Sequence, residues 1–72
     1  MRTLNDLKKG ESAIIDFLLE SELSNKLLSM GFIPGEEIKL QNIAPLNCPI
    51  IVEVFGSTII IRRSDAKNIF IK

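Results

Sequence analysis

Residues 50–62 are almost continuous in β-branched side chains, and that run constrains the fold more than anything else in this 72-residue chain. Ile50 to Phe55 and Thr58 to Arg62 read as two strands, and Gly56-Ser57 between them as a two-residue hairpin loop of type II′. The loop predicts a register: Phe55 opposite Thr58, Val54 opposite Ile59, Glu53 opposite Ile60, Val52 opposite Ile61 and Ile51 opposite Arg62. One face then carries Ile50, Val52, Val54, Ile59 and Ile61 and must turn to the core. The other carries Ile51, Glu53, Phe55, Thr58, Ile60 and Arg62. Left flat and open, such a hairpin would aggregate, so its edges have to be hidden by closing the sheet. A chain of this length builds one core, and at this size only about 60% of the unfolded surface is buried. Residues 1–72 are therefore expected to form a single domain.

The remaining elements are short and separated by turn residues. Ser12 to Leu18 reads as a first strand after a glycine turn at Gly10, with Leu4 and Leu7 ahead of it. From Ser21, a plausible N-cap followed by Glu22 in the first turn, Leu23, Leu27 and Met30 repeat at helical spacing and Leu28 widens their face. The helix should stop at Met30. Gly31 stands where a left-handed residue ends a helix, and Phe32 is placed to contact Leu27, the pairing of a Schellman ending. Pro34-Gly35 fits a type II turn, and Glu37 to Gln41 alternates as a half-buried strand. Residues 44–49, Ala-Pro-Leu-Asn-Cys-Pro, cannot continue a ladder because the prolines lack donors, so they form an ordered loop. Residues 63–66 read as a polar turn and residues 68–71 as a last strand. The fold class this predicts is mostly β: a small compact barrel of about five strands, with one short helix between the first two strands covering an open end.

Composition removes most chemistry. Nine basic and nine acidic side chains give no net charge, which argues against a nucleic-acid partner. The absence of histidine excludes an imidazole base or a His-ligated metal. A lone Cys48 excludes an internal disulfide and favours a reducing, cytoplasmic setting. No apolar stretch approaches the ~20 residues that cross a bilayer, so direct membrane insertion is not expected. The acid pairs Glu20/Glu22 and Glu36/Glu37 point to different sides and read as solvated surface. No catalytic residue, metal ligand or cofactor is assigned. Cys48 has no cation beside it in sequence and reads as an incidental loop thiol. Arg62 reads as a surface partner of Glu53, and Arg63 as a residue of the barrel rim. The outward Ile51, Phe55 and Ile60 fit either a partner or self-association surface, which would make a homo-oligomer, or local packing under the termini. With no Trp and no Tyr, the aromatic groove that grips proline-rich peptides cannot be built.

The order of residues also resembles a known family. Leu4, Leu7 and Gly10, then residues 26–35 (Lys-Leu-Leu-Ser-Met-Gly-Phe-Ile-Pro-Gly), then Ala44-Pro45-Leu46 with Pro49-Ile50, and Ile61-Arg62 with Ala66 and Ile69, together resemble the ferrous iron transport protein A (FeoA) family over the whole chain. The family loop usually reads Ala-Pro-x-Gly-Asp-Pro, and here Asn47 and Cys48 stand at the Gly and Asp positions. The resemblance implies an SH3-like barrel without enzymatic activity of its own, acting in bacterial ferrous iron uptake on the cytoplasmic side of FeoB, the membrane transporter with a GTP-hydrolysing domain. The expected partner-binding residues are the helix exit (Leu27, Met30, Gly31 and Phe32) and the loop residues Ala44, Pro45, Asn47 and Pro49. Leu27 and Phe32 also have a core role. Two alternatives stay open. One is the SH3-like domain of a DtxR-type metal-dependent repressor, which with nine residues ahead of Gly10 would make this chain a fragment. The other is a protein that binds iron directly, through Cys48 and nearby acids.

Overall fold

The computed structural model describes residues 2–20 and 22–72, with every side chain among them except those of Glu22, Leu23 and Asn47. The elements run β1 (Arg2–Thr3), a 3-10 turn (Leu4–Asp6), β2 (Ser12–Leu18), α1 (Glu22–Ser29), β3 (Glu37–Ile43), a 3-10 turn (Pro45–Asn47), β4 (Ile50–Val54), β5 (Ser57–Ile61), α2 (Arg63–Ala66) and β6 (Ile69–Ile71). The strands form one antiparallel sheet in the order β1-β6-β2-β3-β4-β5. Its curvature starts in β2, whose first half pairs with β3 and whose second half pairs with β6. The extra residue between Ile15 and Phe17 in β2, and another between Leu40 and Asn42 in β3, are bulges that bend the strands around a common core.

That core takes alternate residues from the strands: Ile15 of β2, Ile38 and Leu40 of β3, Ile50, Val52 and Val54 of β4, Ile61 of β5, and Ile69 and Ile71 of β6. The helix and its exit add Leu27 and Phe32, and the N-terminal 3-10 turn and the residue after it add Leu4 and Leu7. Phe17 and Phe70 stack beside the core, across β2 and β6, with ring centroids 4.5 Å apart.

The hairpin differs from the register expected for it, and the difference is informative. Its loop is Phe55-Gly56 rather than Gly56-Ser57, with φ of +53° and +79°, so it is a type I′ turn. The pairs are Val54 with Ser57, Glu53 with Thr58, Val52 with Ile59, Ile51 with Ile60 and Ile50 with Ile61. Moving every partner by two positions preserves side-chain parity, so the expected aliphatic face still points inward. The observed register matches like with like: Ile51 meets Ile60 instead of Arg62, and Glu53 meets Thr58 instead of Ile60. It also moves Phe55 out of the strand. Glu53 then accepts from Gln41 Nε2 at 3.3 Å, so the surface pair expected with Arg62 is replaced by one across to β3.

Three further expectations are corrected. Residues 63–66 are a short helix, not a polar turn, and Ala66 within it is fully buried. Arg63 is no mere rim residue: its Nη1 reaches Asn5 Oδ1 at 3.3 Å, while Asn5 Nδ2 donates to the Arg63 carbonyl at 3.0 Å, latching α2 to the N-terminal turn. A sixth strand, β1, pairs with β6 through two residues only. The expected N-cap Ser21 lies outside the described residues, as do the side chains of Glu22 and Leu23.

Gly31 carries the tightest local constraint. Its φ is +106°, and a Cβ built there would lie 3.2 Å from Phe55 Cβ. We expect Gly31→Ala to lower stability by at least ~1–2 kcal/mol from backbone strain alone, a loss of roughly 4–8 °C in melting temperature per kcal/mol. Repeating the substitution in a Phe55→Gly background, which removes the Phe55 Cβ, should recover only the part due to the contact, as thermal melts of the three variants will show.

Candidate docking site

The helix exit is built by local rules. The Phe32 N–H donates to the Leu27 carbonyl at 3.0 Å and the Gly31 N–H to the Leu28 carbonyl at 3.1 Å, the two bonds of a Schellman motif with Gly31 in the left-handed position. The helix itself ends at Ser29, and Met30 is a turn residue whose N–H still bonds to Lys26 and Leu27. Downstream, the Glu36 N–H closes a turn onto the Ile33 carbonyl at 3.0 Å, with Pro34 and Gly35 at its centre and Gly35 at φ +96°. Of the exit residues read from sequence, Leu27, Gly31 and Phe32 are buried and Met30 is half-buried. The exposed apolar surface beside them comes from Leu28 and Ile33.

The loop at 44–49 closes on itself, with the Ala44 N–H donating to the Pro49 carbonyl at 3.0 Å across a cis Cys48–Pro49 peptide. Ala44 and Pro49 are half-buried, Pro45 and Cys48 are exposed, and the Asn47 side chain lies outside the described residues. The positive φ falls on Leu46, at +68°, rather than on Asn47 where the family glycine stands. Leu46 is also 98% exposed. An unburied leucine in a left-handed conformation draws no hydrophobic return for its strain, and it is the most conspicuous residue of this surface. It sits inside the Ala-Pro-Leu run that carries the family resemblance, yet composition alone gives no reason to separate it from its neighbours.

The outward apolar residues of the hairpin are divided. Ile60 is 66% exposed and pairs with half-buried Ile51 on the outer face. Phe55, 69% exposed, instead sits in the turn with its Cβ against Gly31. Two clefts flank α1. One, of about 340 Å³, lies against β2 and is lined by Phe17, Leu18, Leu28 and Pro34 among others. The other, of about 150 Å³, lies against β5, between Met30, Lys26 and Ile59 to Arg62. Neither includes the 44–49 loop, so the helix exit and the loop are not joined in one groove.

Charged side chains do line a third cleft, of about 250 Å³, where Glu36, Glu37, Glu53 and Lys39 surround Phe55 and Gly56. Among the described residues no cluster of three or more His, Cys, Asp or Glu side chains is arranged to hold a metal ion, and Cys48 is exposed. No buried side-chain N or O among them lacks a hydrogen-bond partner, so none is held ready for a ligand. No helix among them is long and apolar enough to cross a membrane.

Comparison with known proteins agrees with this picture of a small barrel. A candidate Fe(2+) transport protein A of Campylobacter jejuni is 44% identical over 68 residues, which is 93% of this chain and 92% of that protein. The solution structure of iron(II) transport protein A from Clostridium thermocellum superposes with a TM-score of 0.92 at 38% identity, covering 99% of this chain and 44% of that one. FeoA of Stenotrophomonas maltophilia, solved with zinc and described as a prokaryotic SH3 domain protein proposed to activate ferrous iron transport, gives 0.90 at 25% identity over 100% of this chain and 91% of that one. The barrel also recurs as part of the Thermoplasma acidophilum protein IdeR, at 25% identity and a TM-score of 0.82, covering 96% of this chain and 32% of that one. Residues 2–72 match the FeoA domain as a family, and with that match the chain belongs to the FeoA family.

Proposed function

We propose that this chain works as a single-domain, non-enzymatic accessory of bacterial ferrous iron uptake, docking from the cytoplasm on the FeoB transporter near its GTPase region. Family membership supports the pathway, and the observation that carries docking is Leu46. A leucine held at φ +68° and 98% exposed contributes almost nothing to the core, so its placement is better explained by a partner that receives it. In this reading Pro45, Leu46 and the neighbouring loop residues Ala44, Asn47 and Pro49 present one contact, and Leu28, Met30 and Ile33 at the helix exit present another. Leu27, Gly31 and Phe32 act indirectly, by fixing the exit from within the core.

Leu46→Asn separates docking from folding. Asn tolerates the left-handed region and the substitution removes no buried surface, so stability should stay the same or rise by up to ~1 kcal/mol. Pull-down of FeoB cytosolic segments should succeed with the parent chain and fall at least about tenfold with the variant. Equal recovery with both, or no enrichment of the parent over an unrelated small barrel, would refute docking through this loop.

Direct iron binding is the competing reading, and the zinc in the Stenotrophomonas relative makes it worth testing here. With a solitary exposed thiol and no group of acids among the described residues placed to hold a metal ion, anaerobic titration with ferrous iron should show no stoichiometric site tighter than roughly 1 µM. A tight site that disappears in Cys48→Ser would replace the docking module with a metal carrier.

A further inference from the structure

The two ends of the sheet are finished differently. At one end β1 offers only two residues, Arg2 and Thr3, so that edge is short and carries a charge. At the other end β5 offers Ser57-Thr58-Ile59-Ile60-Ile61, with no charge, no proline and no bulge. The two-residue turn settles which backbone groups are in use. Val54 and Ser57 close the hairpin as a hydrogen-bonded pair, so Ser57, Ile59 and Ile61 bond to β4. Thr58 and Ile60 therefore aim their N–H and C=O groups away from the sheet, and no described residue bonds to them.

We infer that this open edge of β5 pairs with a second copy of itself, antiparallel about a two-fold axis through Ile59. The edge is complementary to its own reverse. Thr58 of each copy falls opposite Ile60 of the other, and each such pair exchanges two main-chain hydrogen bonds, four in all. On the outer face the row of side chains reads Lys39, Glu53, Thr58, then Ile60, Ile51 and Asn42 of the second copy, so no like charges meet across the junction. Arg62 lies just beyond β5, and the axis sets it opposite Gly56 of the second copy, diagonal to Thr58 and on the outer face that Glu53 shares. On the inner side the two Ile59 side chains meet at the mouth of the cleft that Met30 and Lys26 close. Pairing would cover Ile60, which is otherwise a largely exposed isoleucine at an open edge. This interface goes beyond docking on a transporter and does not depend on it.

The test uses the full chain alone. Light scattering and sedimentation between roughly 10 µM and 1 mM should show a monomer passing to a dimer. Over the same range the amides of Thr58 and Ile60 should gain protection from hydrogen exchange, while those of Ile59 and Ile61 stay protected throughout. Thr58→Pro removes one outward donor and no bond to β4, so it should weaken the dimer at least tenfold with the circular dichroism spectrum retained. Ile60→Lys, which sets a cation into the apolar row, should do the same should the proline variant fail to fold. A chain still monomeric at ~1 mM, a dimer indifferent to the folded variants, or protection of Thr58 and Ile60 only on adding FeoB segments would each overturn the inference.

Discussion

The burial of Phe32 is the contact on which the rest of the arrangement depends. It has no exposed surface, and it is delivered to the core by one left-handed residue, Gly31, at the end of an eight-residue helix. A helix of that length is marginal in water and has to be held by packing. Leu27 and Phe32 provide that packing, and burying each side chain is worth ~1.5–3 kcal/mol. Against a total stability of roughly 5–15 kcal/mol, the helix exit is a large share of what keeps α1 on the barrel. The same glycine admits Phe55 of the hairpin turn at a distance that any Cβ would contest, so the helix exit and the β4–β5 turn are positioned by one contact.

The N-terminus completes the barrel in a similar way. Leu4 is fully buried although it lies in a three-residue 3-10 turn with almost no local stability of its own. The turn is held from both sides: the Thr3 N–H donates to Asp6 Oδ2 at 2.8 Å, and Asn5 interlocks with Arg63 of α2. Short elements with few internal bonds thus become ordered because each fills part of a core that the strands alone leave open.

How much of this was legible in the sequence depends on the range of the interaction responsible. The Schellman exit and the Pro34-Gly35 turn are local, and residue types fix both. The buried face of the hairpin was legible because parity with a period of two survives a register change of two. The register itself was not, since Gly56-Ser57 and Phe55-Gly56 are both acceptable loops. The choice rests on cross-strand matching and on the meeting of Phe55 with Gly31, residues 24 positions apart. β1 and α2 were missed because they consist of two and four residues and form only against partners distant in sequence. The loop proposed for docking was legible in outline only. The loop was identifiable, but the exposure and positive φ of Leu46 depend on how Ala44 and Pro49 close it.

The energetics of an open edge set how strongly β5 would pair with a second copy. In the monomer the outward N–H and C=O groups of Thr58 and Ile60 are hydrated, so they impose no penalty of the kind a buried unpaired group would. Four new main-chain bonds then gain only about 0.5–1.5 kcal/mol each, and covering the upper surface of Ile60 in two copies adds a few kcal/mol more. Association costs an estimated 4–15 kcal/mol or more, of the same size as that gain. The balance therefore favours a weak, concentration-dependent dimer over a permanent one. A docking segment with better pockets of its own could displace the second copy, because main-chain bonds supply affinity at any extended partner and only side-chain fit separates one partner from another.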